Sequence, residues 1–204
     1  GTKASDFSLF NQRGEKASLK DYRGKKNIVL YFYPKAMTPG CTVQACGIRD
    51  SKAEFEAVDT VVMAVSPDSV DRLVKFEDKQ ELNFTLLSDE DHKVTEDYGA
   101  WGLKKFMGRE YMGVLRSTFI IGKDGEIKYV MGKVKTKTHH EDVLEWIKTN
   151  LWYQPIIFLS SIAVYGNNKT LIRYNTKTDP NTNYGISKLK AENLISSLRS
   201  DTFK

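Results

Sequence analysis

Ile28-Val29-Leu30-Tyr31-Phe32-Tyr33-Pro34 is an apolar, strand-like run closed by a proline, and Thr38-Pro39-Gly40-Cys41-Thr42-Val43-Gln44-Ala45-Cys46 follows after a short loop. The first stretch reads as the central strand of a sheet. A helix-compatible stretch opens at Cys41, so the chain passes from strand through loop into helix with a cysteine at the junction. That placement sets the chemistry. A cysteine in the first turn of a helix feels the positive end of the backbone dipole and unpaired N–H groups, both of which suit a thiolate. Thr38, three residues earlier, can place a hydroxyl beside that sulfur. Cys46, five positions on, can trap an oxidised Cys41. A free cysteine is more often a small buried hydrophobe. Pro, Gly and Thr packed before Cys41 at a strand-to-helix junction weigh against that here. Zinc fits poorly, because a closed site needs about four ligands and the chain has three histidines besides the two cysteines. His139-His140 reads as the polar first turn of a helix with Thr138 as cap and Glu141 completing a capping box. His92, in a charged segment, reads as solvated.

Working outward, the elements alternate. Residues 1–26 read as an extended entry segment with a polar turn at Asn11-Gln12-Arg13-Gly14. Thr60 to Val65 reads as a second buried strand, and Ser66-Pro67 as the cap and first residue of a helix. Val70, Leu73 and Val74 give that helix an apolar stripe at helical spacing, which is core rather than a cofactor contact. Phe84 to Leu87 is a short strand, and Val94 and Tyr98 mark the apolar side of a brief helix. Ser117 to Ile121, the turn Gly122-Lys123-Asp124-Gly125, and Glu126 to Val130 predict a hairpin. A helix from His139 to Lys148, burying Val143, Leu144 and Ile147, closes the unit. This pattern predicts an α/β layered sheet with flanking helices, of thioredoxin-like type.

Pro34-x-x-x-Thr38-x-x-Cys41 resembles the active-site signature of peroxiredoxins, and Cys46 on the same helix resembles the Q-type, or bacterioferritin comigratory protein, subfamily. Leu86 to His92 and Arg116-Ser117-Thr118-Phe119 are similar to that subfamily too, over about residues 4–149. The resemblance implies a thiol peroxidase that reduces hydrogen peroxide and organic hydroperoxides without metal or organic cofactor. It implies Cys41 as the attacking sulfur, Cys46 as the resolving one, Arg116 and Thr38 as stabilisers of the thiolate, and Pro34 as a shield of the pocket. It also implies thioredoxin or a similar dithiol as reductant, a monomer or weak dimer, and a start a few residues shorter than usual in the family.

Composition bounds the alternatives. The hydrophobic fraction of 40% is compatible with a packed core, and no apolar stretch is long enough to span a bilayer. The first residue is Gly and no basic-then-apolar segment follows, which gives secretion no support. A reactive thiol pair fits a reducing cytoplasm. The net charge of +5 divides unevenly: residues 1–150 carry 24 Lys and Arg against 23 Asp and Glu, and residues 151–204 carry 7 against 3. The first part has an ordinary mixed-sign surface, and the excess is dispersed in the tail, so nucleic acid is not an expected partner.

The tail, 151–204, reads as a segment apart from a domain over 1–150. Pro155 to Gly166 reads as another buried-strand run, its strand core Ile156 to Ser160. A polar loop follows, then a helix opening at Tyr184 with Ala191, Leu194, Ile195 and Leu198 as its stripe. Ser160-Ser161-Ile162-Ala163-Val164-Tyr165-Gly166 and Tyr184-x-x-x-Lys188 resemble the active-site segment of extended short-chain dehydrogenases, the NAD-dependent epimerase and dehydratase family. Ser161, Tyr184 and Lys188 fall on its catalytic positions, and residues four apart share a helix face, where an ammonium can assist proton transfer at a phenol. No Gly-x-x-Gly-x-x-Gly or Gly-x-Gly-x-x-Gly turn exists in the chain to cradle a pyrophosphate. The expectation is a partial segment rather than an independent domain. A nucleotide-sugar epimerase or reductase, a bifunctional protein, and a non-enzymatic redox-sensing module are the rival functions.

Overall fold

The computed structural model describes residues 1–106, 108–151, 159–167, 171–173 and 175–197. The chain divides into two compact units, Gly1–Tyr153 and Gln154–Lys204.

The first unit is built on an eight-stranded sheet. Its strands are β1 (Thr2–Lys3), β2 (Ser8–Asn11), β3 (Lys16–Ser18), β4 (Asn27–Phe32), β5 (Thr60–Ser66), β6 (Thr85–Ser88), β9 (Ser117–Ile121) and β10 (Glu126–Met131), in the spatial order β1-β10-β9-β4-β5-β6-β2-β3. β4, β5 and β6 run parallel, and β9 lies antiparallel to β4 on its other side. Every residue of β4 is buried, as a strand covered on both faces requires. Alternation along it feeds two cores. Val29, Tyr31 and Tyr33 face helices α1 (Pro39–Asp50), α2 (Lys52–Ala57), α3 (Val70–Gln80) and α5 (His139–Asn150), meeting Ala45, Ile48, Phe55, Leu73, Phe76, Val143 and Ile147. Ile28, Leu30 and Phe32 face Phe7, Leu19, Phe119, and Val94 and Tyr98 around the short helix α4 (Lys93–Asp97). Each such fully buried side chain contributes roughly 1.5–3 kcal/mol. The expected hairpin of β9 and β10 is present, its turn closed by Gly125 N–H donating to Gly122 O at 2.9 Å. The thioredoxin-like α/β sheet expected from the sequence is the fold observed.

Four local expectations are corrected. Helix α3 does not start at Ser66-Pro67. β5 runs through Ser66, and Asp68 turns its carboxylate to the Ala36 amide and the Ser66 hydroxyl, so the helix begins only after Ser69. The capping box at Thr138 does not form, because its hydroxyl donates to Asp142 Oδ2 at 2.9 Å and makes no cap bond. His139 is not part of a polar turn: it is 1% exposed. His92 is not simply solvated, since its ring stacks on Trp101 at 4.0 Å with Nδ1 buried. The structure also adds a hairpin between α4 and β9, made of β7 (Trp101–Phe106) and β8 (Arg109–Val114), which pair only with each other.

In the second unit, Ile162–Tyr165 forms a 3-10 turn and Asn183–Ser197 forms helix α6. The Ser161 hydroxyl caps the turn by accepting from Ala163 N–H at 3.2 Å. The helix start lies close against this turn. A Cβ on Gly185 would sit 2.4 Å from Ala163 O, so only glycine permits the approach. The expected buried-strand run from Pro155 to Gly166 is corrected where it is described: Leu159 to Ser161 are irregular, Ile162–Tyr165 is the 3-10 turn, and Leu159 and Ile162 are exposed, while residues 155–158 lie outside the described residues. The expected apolar stripe of α6 is not buried as such. Leu194 is 63% exposed, Ala191 and Ile195 are half-buried, and Leu198 lies outside the described residues.

Candidate active site

β4 delivers the chain to Pro34, and a bent loop carries it to Thr38, the N-cap of α1, whose backbone is extended as a cap requires. Pro39 follows at the first helical position, where its missing N–H costs nothing, and Cys41 stands in the first turn. The sulfur is buried at 2% exposure. Arg116, on the turn between β8 and β9, donates from Nη2 to Cys41 Sγ at 3.3 Å. Its Nη1 donates to Gln44 Oε1, so one guanidinium fork spans the sulfur and an amide one helical turn further on. Burial raises the phenol of Tyr31 well above its usual range, with Tyr33 and Cys41 adding to the effect. Tyr33 is raised as well, mainly by burial. Both tyrosines therefore stay neutral.

The loop before the helix is held by a second pair. Asp68 accepts from Ala36 N–H at 2.7 Å and from Ser66 Oγ at 2.9 Å, while Arg72 Nη2 donates to Ala36 O at 2.9 Å. Asp68 and Arg72 also form an ion pair at 2.9 Å. Both backbone groups of Ala36 are thus gripped by side chains, Asp68 from the β5–α3 connection and Arg72 from the first turn of α3. Met37 beside it adopts φ 64°, a left-handed conformation uncommon for a residue with a side chain. Thr38 Oγ1 donates to Lys35 O at 3.0 Å rather than to the sulfur. Its lone pairs are what remain to meet a ligand. Pro34 is half-buried at the end of β4.

Cys46 lies on the same unbroken helix, half-buried, with its thiol 3.5 Å from Gln80 Oε1 at the end of α3. Arg49 Nη1 donates to Gln80 O at 2.6 Å, and Asn83 Nδ2 donates to Arg49 O at 3.1 Å. Both cysteines are free.

Sequence reading missed Gln44, His139, Asp68 and Arg72. A signal existed for two of them. Gln44 is three residues after Cys41 and so shares its helix face. His139 is four residues before Val143 and eight before Ile147, on the buried stripe of α5. The structure joins Cys41, Arg116 and Thr38 at one end of α1 and sets Cys46 at a different place along it. Ser161, Tyr184 and Lys188 all belong to the second unit. There Lys188 Nζ donates to Leu159 O at 3.0 Å and lies 5.7 Å from the Tyr184 ring centre, and Tyr184 is 57% exposed. Among the described residues there is no cluster of three or more His, Cys, Asp or Glu that could hold a metal, and no helix long and apolar enough to cross a membrane.

Residues 1–130 match the profile of the AhpC/TSA family. The chain belongs to that family. Peroxiredoxin Bcp of Escherichia coli is 50% identical over 148 residues, 72% of this chain and 94% of that protein. Peroxiredoxin Bcp of Bacillus subtilis is 49% identical over 148 residues, again 72% and 94%. The solved bacterioferritin comigratory protein of Xanthomonas campestris, reported with its alkyl peroxide reduction activity, is 31% identical with a TM-score of 0.66, over 70% of this chain and 90% of that one. The Bcp-type peroxidoxin BcpB of Mycobacterium tuberculosis is 32% identical with a TM-score of 0.66, over 74% and 96%. The likeness to Bcp and Q-type peroxiredoxins expected from the sequence is therefore found, and the chain is a thiol peroxidase of the peroxiredoxin class. Residues 136–203 match the NAD-dependent epimerase/dehydratase profile, a match that begins just before α5 of the first unit.

Proposed function

We propose that Cys41 is the peroxide-reactive sulfur of this peroxidase and Cys46 its resolving partner, with Arg116 and Thr38 as the groups that handle charge and substrate. The observation that carries this reading is the Arg116 guanidinium donating to Cys41 Sγ at 3.3 Å in the first turn of α1. Cys41 thiolate attacks the distal oxygen of the hydroperoxide. A sulfur–oxygen bond forms as the O–O bond breaks, and the leaving alkoxide takes a proton to become an alcohol, or water when the substrate is hydrogen peroxide. The guanidinium offsets charge at the reacting atoms without reorganising. The Thr38 hydroxyl, its proton held by Lys35 O, offers an acceptor to the peroxide O–H. Pro34 shields the pocket. Cys46 thiolate then attacks the sulfenic sulfur and hydroxide leaves, protonated to water, with the disulfide formed. A dithiol reductant of the thioredoxin class returns two electrons by thiol–disulfide exchange, in a reducing cytoplasm and with the protein a monomer or weak dimer.

Resolution needs a change of shape. Residues five apart on a helix are about 7.5 Å apart in rise and roughly 8–9 Å apart between Cα atoms. A disulfide tolerates less than about 7 Å. α1 is continuous from Pro39 to Asp50, so it must unwind locally before the two sulfurs meet.

We propose further that residues 1–150 form the catalytic domain and that 151–204 add no nicotinamide chemistry. What supports this is sequence: Ser161, Tyr184 and Lys188 are present without a glycine-rich turn to hold a dinucleotide. The decisive experiment is stopped-flow oxidation and steady-state turnover with thioredoxin. Cys41→Ser is expected to abolish turnover, and Cys46→Ser to permit one oxidation and then stall. Undiminished turnover in both variants overturns the assignment.

A further inference from the structure

The buried end of the Arg116 network is His139. Its ring is 1% exposed at the start of α5, with Nδ1 2.9 Å from Gln44 Nε2 and Nε2 2.8 Å from Thr118 Oγ1. The direction of each bond follows from chemistry. A guanidinium has donors only, so the Gln44 atom facing Arg116 is the amide oxygen. The amide nitrogen therefore faces His139, and a donor there requires Nδ1 to be unprotonated. The neutral ring then carries its proton on Nε2 and donates to Thr118 Oγ1. Had the ring held a proton on Nδ1, two N–H groups would confront each other. The Gln44 amide could flip to avoid this only by turning its NH2 onto the guanidinium.

We propose that His139 is a positioning residue for the peroxidase reaction: its Nε2–H tautomer fixes the Gln44 amide, which in turn aims Arg116 at Cys41. The inference rests on the reading of Cys41 and Arg116 as the reacting pair. Burial is the largest influence on the imidazole, followed by the charges of Arg116 and His140, and together they lower it to about 3. The ring thus stays neutral wherever the enzyme works. Tyr31, whose ring centre is 5.4 Å away on β4, stays neutral as well, so no ionised phenol competes for the ring's proton. Gln44 is fully buried, which leaves no water to rescue a misplaced amide.

The test joins a spectroscopic readout with a double-mutant cycle. In the reduced wild-type protein, imidazole 15N shifts should report the neutral Nε2–H tautomer; an Nδ1–H ring overturns the inference without any variant. Gln44→Glu presents a carboxylate in place of the amide and should draw a proton onto Nδ1; a ring unchanged in that variant also overturns it. His139→Leu should slow oxidation of Cys41 by hydrogen peroxide about ten-fold, the scale of a reacting group displaced by a fraction of an ångström. His139→Asn, whose Oδ1 replaces the Nδ1 acceptor, should stay within about threefold of wild type. The His139→Leu loss should vanish in an Arg116→Ala background, because the histidine acts only through the arginine. The same fold-loss in both backgrounds indicates a merely structural role and overturns the proposal. Failure of the underlying reading is told apart by Cys41→Ser and Arg116→Ala. If neither changes peroxide consumption, the pair is not the reacting site and the inference falls with it. If both do and His139→Leu does not, the inference alone falls.

Discussion

Acidification should weaken this protein through His139 before its carboxylates matter. Folded, the buried imidazole binds a proton only near pH 3, against 6.5 for an ordinary histidine. The unfolded chain therefore holds more protons between those values, and stability rises with pH across that window. The contribution is complete above about pH 7, begins to be lost as the pH falls through 6.5, and is exhausted near 3. At pH 5 the unfolded histidine is almost fully charged and the folded one almost fully neutral. The difference, RT ln[(1 + 10^1.5)/(1 + 10^−2)], is about 2 kcal/mol, growing to about 4 kcal/mol at pH 3. The ring's 1% exposure means that solvent screens little of it. Urea unfolding of the full chain, followed by tryptophan fluorescence at pH 8 and pH 5, measures the effect. His139→Asn, which cannot titrate, is the reference. Wild type should lose about 2 kcal/mol more than the variant between the two pH values, a difference of about 1 M in the urea midpoint. Depressed carboxylates such as Asp59 and Asp124 act equally in both proteins and cancel. An acid loss equal in wild type and His139→Asn to within about 0.5 kcal/mol refutes the reasoning.

Three further outcomes are expected. Arg116→Ala should slow Cys41 oxidation roughly 10²–10³-fold and Arg116→Lys should restore only part, because an ammonium cannot span both Cys41 Sγ and Gln44 Oε1; the second-order rate constant for peroxide checks it. Gly47→Ala should destabilise by about 1–3 kcal/mol in thermal or urea unfolding, since its Cβ would lie 2.4 Å from His140 Nδ1 where α1 meets α5. Calorimetric titration of NAD(H) against the full chain should show no saturable binding; micromolar binding lost in Tyr184→Phe or Lys188→Ala would revive the epimerase reading.

The parts of the fold legible in sequence were those with a buried period. β4 and β5 announce themselves by uninterrupted apolar residues, and α5 by Val143, Leu144 and Ile147 at helical spacing. The β7–β8 hairpin had no such signal, because it pairs with no other strand and exposes Leu103, Tyr111 and Met112. Within the site, Cys41 and Thr38 stand out by residue type and spacing at the strand-to-helix junction, whereas Arg116 is singled out only by the resemblance of its segment to the peroxiredoxin family. His139 was misread because a histidine beside another histidine at a helix start looks polar. Its spacing from Val143 and Ile147 places it on the buried stripe of α5, but only the tertiary meeting of α5 with α1 and β9 shows that it is hydrogen-bonded on both nitrogens. Asp68 was hidden for the same reason: its partners Ala36 and Arg72 come from separate elements.

The same network explains why α1 can hold the sulfur still and then let it go. Before reaction the first turn is pinned by a charge-assisted contact from Arg116 to Cys41, worth about twice a neutral hydrogen bond. If Cys41 is the reacting thiolate proposed above, its oxidation to a neutral sulfenic acid weakens that contact at the moment resolution must begin. Besides that contact the turn keeps Cys41 in the core and a backbone bond from Thr42 N–H to Thr38 O at 2.9 Å, and its other side chains add little. Thr42 is half-buried, Val43 is 45% exposed, and both are β-branched, which lowers their helix propensity. The next residues differ: Gln44 and Ala45 are fully buried and Ile48 is 1% exposed, anchoring the rest of the helix in the core. Unwinding should therefore run from Pro39 through Val43 and stop at Gln44, carrying Cys41 toward Cys46 while Ile48 stays packed. Amide exchange in the disulfide form distinguishes this from its opposite. Protection should fall at residues 41–43 and persist at Ile48; loss at Ile48 with retention at Thr42 would mean that the Cys46 end opens instead.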